Sequence, residues 1–144
     1  MASLAELFVG QMVGGEWHLD GLVGRGQFSS VYRASSGDQV VALKMLHPDA
    51  TKDPSTVAEF QTEAELLDIL RDRQCRNVVN LIEGAATGTI QVQLNSGVEV
   101  PIPVQYHLLD LADGSLDELV ANHASLDWTL RLNLLRDVAA GLHQ

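Results

Sequence analysis

From Trp17 to Leu46, apolar residues come in short runs separated by two glycine-bearing turns, with no apolar positions at sustained helical spacing. The pattern predicts three strands, His18–Val23, Phe28–Ala34 and Gln39–Leu46. Ser35-Ser36-Gly37-Asp38 links the last two, and so short a glycine-containing link is a hairpin signal, so the sheet is expected to be antiparallel. At Asp53-Pro54-Ser55-Thr56 the chemistry becomes that of a helix start. Proline is tolerated in a first turn, and Thr56 is followed three residues later by Glu59, the spacing of a capping box. The helix is expected to run to Arg71. At about 100° per residue, Phe60, Glu63, Leu66, Leu67 and Leu70 fall on one arc, which leaves a carboxylate in the middle of an apolar face.

Beyond this helix, Asn77–Glu83 and Val104–Leu109 read as strands. Between them TIQVQL and VEVPIPV alternate around Asn95-Ser96-Gly97 and predict an extra hairpin; Pro101 and Pro103, which lack ladder donors, place it at an edge. The last third predicts two helices, Ser115–Ala121 and Leu126 to the end. On the second, Leu130, Leu132, Leu134, Leu135, Val138, Ala139 and Leu142 cover roughly 200° of the wheel, wider than the ~100° stripe of a surface helix. Such a helix calls for neighbours on most sides.

Composition narrows the possible functions. The chain has 144 residues, 46% of them apolar and 19% charged, which fits one globular domain rather than a disordered segment. Nine basic against nineteen acidic residues give a net charge of −10, which repels phosphate backbones and anionic lipid, so no nucleic-acid partner is expected. Cys75 is the sole cysteine, so neither an intrachain disulfide nor a cysteine-pair zinc site is available, and a reducing cytoplasm is the expected location. The N-terminal segment lacks a cationic region and is interrupted by Gly10, Gln11, Gly14 and Gly15, so neither a signal peptide nor a membrane span is expected. His18, His47, His107, His123 and His143 are scattered without ligand spacing, so no metal site is expected on them.

Two features carry chemistry. Gly24-Arg25-Gly26-Gln27-Phe28-Ser29 is a turn whose glycines could let backbone amides approach a polyphosphate. By itself such a turn is more often merely a tight hairpin. A dinucleotide-binding turn would open directly into a helix, whereas FSSVYRA and QVVALKML are strand-like. Lys44 shares a strand face with Val40 and Ala42. An isolated lysine there could simply snorkel to solvent. As a phosphate ligand it would need a carboxylate to hold it; Glu63 is the candidate, Glu59 a rival, and Glu63 could itself be a rim carboxylate facing water.

With glycine turn, lysine strand and glutamate helix in this order, the sequence resembles the N-terminal lobe of a eukaryotic-type (Hanks-type) serine/threonine protein kinase, bacterial in style. LVGRGQFSSVYRA, VALK, FQTE, NVVNLIEG, HLLDLADGSL and DVAAGL carry the resemblance over nearly the whole chain. The resemblance implies an α+β fold: a five-stranded antiparallel sheet with one helix and an inserted hairpin, then two helices of an incomplete C-terminal lobe. It divides the chain into a lead-in (1–16), the N-lobe and hinge (17–112) and the start of the helical lobe (113–144).

The resemblance also implies ATP as ligand. Val23, Val31 and Ala42 would enclose the adenine, Gly24, Arg25, Gly26, Gln27, Phe28 and Ser29 would cover the phosphates, and Lys44 would contact them while paired to Glu63. Leu109 falls at the gatekeeper position. The Asp110 carbonyl and the Ala112 amide would bond the adenine. Ser29 replaces the family's third loop glycine, and the passage after the hinge is one residue short, so the ribose contact stays open between Asp113 and Ser115. These residues contain no His-Arg-Asp catalytic loop, no metal-binding asparagine after it and no Asp-Phe-Gly segment. Ligands for Mg2+ and a protein substrate are therefore expected only of a full-length form. The chain by itself is expected to be inactive, or a non-catalytic kinase-like module that binds a protein partner.

Overall fold

In the computed structural model, which describes residues 2–114, 118–119, 121 and 127–143, six strands close into an antiparallel barrel. The strands are β1 (Met12–Val13), β2 (Trp17–Arg25), β3 (Ser29–Ser36), β4 (Gln39–Leu46), β5 (Leu81–Gln93) and β6 (Glu99–Leu109). Their order around the barrel is β1-β2-β3-β4-β6-β5, and β1 completes the ring by pairing with both β2 and β5. Among the described residues lie helices α1 (Leu4–Leu7), α2 (Pro54–Asp72) and α3 (Trp128–Leu142), with a 3-10 turn at Pro48–Lys52.

The period of two along each strand sorts its residues between two surfaces. Tyr32 and Ala34 of β3, Val41, Leu43 and Met45 of β4, and Val104, Tyr106 and Leu108 of β6 join Trp17, Leu19 and Ile90 in one buried cluster inside the barrel. The opposite parity, with Val31, Ala42 and Leu109, packs with Ala64 of α2 and with Leu81. Helix α1 adds Ala5 and Phe8 to the barrel interior, and the Tyr32 hydroxyl donates to the Ala5 carbonyl at 2.9 Å. Burial of that phenol pushes its pKa up to about 12.

Several sequence expectations hold. Strand pairing is antiparallel throughout, and the β3–β4 hairpin turns at Gly37, whose φ of +57° suits a residue without Cβ. Pro101 and Pro103 lie where β6 has β5 alone as partner, beyond the Met45–Tyr106 end of its pairing with β4.

Others are corrected. The sheet has six strands and closes, because Met12–Val13, too short to register in the alternation, bridges β2 to β5. The supposed inserted hairpin is not separate: β5 and β6 run through it as one long pair from Leu81–Leu109 to Gln93–Glu99, and Asn77–Asn80 are not strand. The first two strands are Trp17–Arg25 and Ser29–Ser36 rather than His18–Val23 and Phe28–Ala34. Helix α2 buries Thr56, Phe60 and Ala64, spaced four apart, whereas Leu66 stands 56% exposed. The helix expected over Ser115–Ala121 falls largely outside the described residues. α3 follows the last predicted helix, but it buries none of its residues in this chain.

The start of α2 is also corrected. The cap is Asp53, not Thr56: the Asp53 carboxylate accepts from the Ser55 amide at 3.1 Å and from the Thr56 hydroxyl at 2.7 Å. Those bonds, Thr56 foremost, hold its pKa below the ordinary 3.8. A depressed folded value means the contribution is fully present above the unfolded pKa and is lost as pH falls through the folded one. Asp53→Ala is expected to speed exchange of the Ser55 amide several-fold at neutral pH, with little difference between variant and wild type once the carboxyl is protonated. Hydrogen exchange by NMR across that range checks both.

Candidate functional site

Strand β4 places Lys44 opposite Val31 on β3 and opposite His107 on β6, on the barrel surface that α2 crosses. Glu63 projects from α2 toward the same point. Lys44 Nζ donates to both carboxylate oxygens of Glu63 at 2.6 Å, and the two side chains are 23% and 39% exposed. The carboxylate that looked misplaced on an apolar helix face thus meets the lysine that looked misplaced on an apolar strand face. Glu59 is exposed and takes no part. Two Nζ hydrogens engage Glu63, and a third donor remains on the ammonium group.

Around this pair the structure gathers some of the other sequence candidates. Ala42 and Leu109 are cross-strand partners on β4 and β6, and both are buried in one cluster to which Val31 and Leu111 are packed. The same strand pairing sets Gly24 opposite Val31 and leads through Arg25 into the turn Gly26–Phe28. Ser29 opens β3. Val23 lies next to Gly24 on β2 but is 54% exposed and outside the cluster. After β6, the Asp110 amide donates to the Asn80 carbonyl at 3.0 Å. Among the described residues, neither the Asp110 carbonyl nor the Ala112 amide takes part in a backbone–backbone hydrogen bond. Asp113 lies beyond the hinge, and Ser115 lies outside the described residues.

The glycine turn gives a test of fit for a bound phosphate chain. A Cβ built on Gly24 meets nothing within 4 Å, and one on Gly26 approaches only Ser29, the carbonyl at 3.5 Å. Neither position has the positive φ that favours glycine. The fold itself therefore does not require glycine at either place, and what these residues add is bare backbone facing open space. Arg25, Gln27 and Phe28 lie at the rim of a cavity of about 410 Å³ that is also lined by Phe8, Tyr32 and Met45, residues of the barrel interior and α1. Among the described residues no cluster of three or more His, Cys, Asp or Glu could hold a metal ion.

His107 lacks ligand spacing in the sequence, yet it is fully buried between β6 and α2. Its ring stacks on Phe60 with centroids 3.8 Å apart and planes 14° from parallel. The Ala85 amide donates to Nδ1 at 2.9 Å, so Nε2 carries the hydrogen and donates to the Phe60 carbonyl at 2.8 Å. Ala85 has φ +53° and lies in an irregularity where the register passes from Glu83–Leu108 to Ala86–Tyr106, one extra residue on β5 facing His107. Two signals in the sequence mark the site. His107 has the same parity as Leu109, and Gly84-Ala85-Ala86 is a run of small residues inside a strand.

No family model matches the chain. Curated proteins do. The calcium/calmodulin-regulated receptor-like kinase 1 of Arabidopsis thaliana is 36% identical over 122 residues, 84% of this chain and 24% of that protein. A probable leucine-rich repeat receptor-like protein kinase of the same plant is 31% identical over 127 residues, 84% of this chain and 10% of that protein. The probable serine/threonine-protein kinase roco6 of Dictyostelium discoideum is 27% identical over 123 residues, 84% of this chain and 5% of that protein. The chain thus spans a quarter or less of the length of these relatives. Similarity to protein kinases running over 84% of its length supports a protein-kinase-related domain.

Proposed function

We propose that this chain is the ATP-binding part of a serine/threonine-type protein kinase of the Hanks type. The observation that carries the reading is the bidentate Lys44–Glu63 pair beside the Val31, Ala42 and Leu109 cluster. In this reading residues 17–112 form the nucleotide lobe with its hinge, and 113–144 begin the helical lobe. Val23, Val31 and Ala42 bind the adenine, with Leu109 as gatekeeper and the Asp110 carbonyl and Ala112 amide as its backbone partners. Residues Gly24 to Ser29 cover the phosphates, and Lys44, kept in place by Glu63, neutralises charge on them. Bound ATP supplies the transferable phosphoryl group. The Mg2+ ligands and the aspartate that orients a protein hydroxyl are assigned to a full-length protein, which acts in a reducing cytoplasm. Cys75 is a free thiol, in keeping with that location.

Calorimetric titration with a non-hydrolysable ATP analogue tests the proposal. Wild type is expected to bind, and Lys44→Ala to bind roughly 10- to 100-fold more weakly, the worth of a charge-assisted contact. Equal affinities would remove Lys44 from the site.

A further inference from the structure

We infer that His107 is a positioning residue that pins α2 to the barrel and thereby sets the Lys44–Glu63 pair. The helix meets the sheet here through specific contacts. Phe60, three residues before Glu63, gives both its carbonyl and its ring face to the imidazole. On its other side the imidazole accepts from the bulged Ala85 amide, so it is bonded to α2 through one nitrogen and to β5 through the other. Lys44 is the β4 neighbour of His107 in the register, so the pin and the ion pair stand side by side on one surface. A slide of α2 by a fraction of a turn breaks the Phe60 bond and separates Glu63 from Lys44 together.

The device works only with neutral imidazole. A proton on Nδ1 would face the Ala85 N–H donor to donor, a repulsion that drives the ring away from β5 and from the Phe60 carbonyl, and that an amide side chain merely lacking the Ala85 bond does not bring. On α2 the Phe60 carbonyl and the charge of Glu63 favour protonation and Lys44 on β4 opposes it, while β5 faces the ring with the Ala85 amide. Burial outweighs them and holds the His107 pKa below the ordinary 6.5. Because the folded value is depressed, the unpinned state takes up the proton more readily. The pinned arrangement is complete above the ordinary histidine range and is lost as pH falls toward the folded pKa.

Three variants separate positioning from packing. His107→Gln keeps a donor for the Phe60 carbonyl, His107→Asn keeps an acceptor for the Ala85 amide, and His107→Phe keeps only the ring stack. The first readout is the 15N signal of the Lys44 ammonium, which is slowed in exchange and visible while Nζ is bonded to Glu63. The second is the affinity for a non-hydrolysable ATP analogue, and that arm alone rests on the proposed nucleotide reading. We expect His107→Gln to keep the ammonium signal and an affinity within about twofold of wild type, whereas His107→Asn and His107→Phe lose the signal and bind roughly tenfold more weakly. Lowering the pH below 7 should weaken wild type more than His107→Gln, since both share the titration of the nucleotide's own phosphate and only wild type adds that of the imidazole.

A His107→Phe or His107→Asn chain that keeps the Lys44 signal overturns the inference, as does a His107→Gln chain that loses it. Should His107→Phe not fold, His107→Asn, which retains the β5 bond, decides the matter by the same signal. If wild type shows the signal but binds no nucleotide, the ATP reading fails and the ammonium arm still tests the pin.

Discussion

Gly84→Ala is expected to destabilise the chain by about 1 to 3 kcal/mol, the usual cost of overpacking a tight contact, and to break the Lys44–Glu63 pair although it touches neither residue. Gly84 lies on β5 where α2 comes closest. A Cβ added there would sit 2.7 Å from Cβ of Ala64, 3.2 Å from Cδ2 of Leu81 and 3.7 Å from Cα of Ala64. The nearest atom has no rotamer by which to withdraw, so the helix itself must move. Ala64 directly follows Glu63, and the displaced segment is therefore the one that carries the carboxylate. Ala64→Gly removes the clashing methyl and leaves 3.2 Å to Cδ2 of Leu81, the end of a flexible side chain that can give by a few tenths of an ångström, and 3.7 Å to the Cα of residue 64. By itself it costs about 1 kcal/mol through helix propensity. In the double variant the Gly84→Ala penalty should largely vanish, giving a favourable coupling that chemical denaturation of the four chains measures. Strictly additive penalties would mean that α2 accommodates the methyl without moving.

The same contact shows what the sequence did and did not make legible. Lys44 and Glu63 could be paired in advance because each broke the pattern of its own element: a charge on an apolar strand face, a charge on an apolar helix arc. Local periodicity carries that information, and α2 and β4 lie within the expected ranges to a residue or two. The closure of the barrel did not show. It depends on β1, two residues long, and on its pairing of Val13 with Ile90, a contact that no local window contains. Likewise β5 and β6 read as two strands with a hairpin between because Gly84-Ala85-Ala86 and Gly88 interrupt the apolar alternation. In the structure those small residues are where β5 bulges toward His107 and lets α2 approach. Asp53 and Thr56 both precede a helix-forming run, and spacing alone cannot tell which oxygen reaches the Ser55 amide. Parity with Leu109 marks His107 as facing α2, but its role does not show locally: a histidine declares that through its two partners, and Phe60 and Ala85 are 47 and 22 residues away.

The second large effect is expected from α3. Trp128 is 72% exposed, Leu132 60%, Leu135 67% and Leu142 84%, and these positions, spaced four, three and seven apart, form one stripe along the helix. The opposite side has contact with the body, since a Cβ on Gly141 would stand 2.6 Å from the Asn77 carbonyl and Leu134 is partly covered. Each leucine-sized side chain left in water forgoes roughly 1.5 to 3 kcal/mol, so the stripe as a whole withholds an amount comparable to a small domain's net stability. The 144-residue chain is therefore expected to bind a hydrophobic dye strongly and to self-associate with rising concentration. Leu132→Gln with Leu135→Gln should suppress both while changing folding stability by no more than about 0.5 kcal/mol, because neither side chain contributes burial to lose. Sedimentation velocity over a concentration series, with dye fluorescence on the same samples, reads the effect. A monomeric wild type, silent to the dye at every concentration, would falsify it, and would mean that α3 covers its stripe in solution against another part of the same chain.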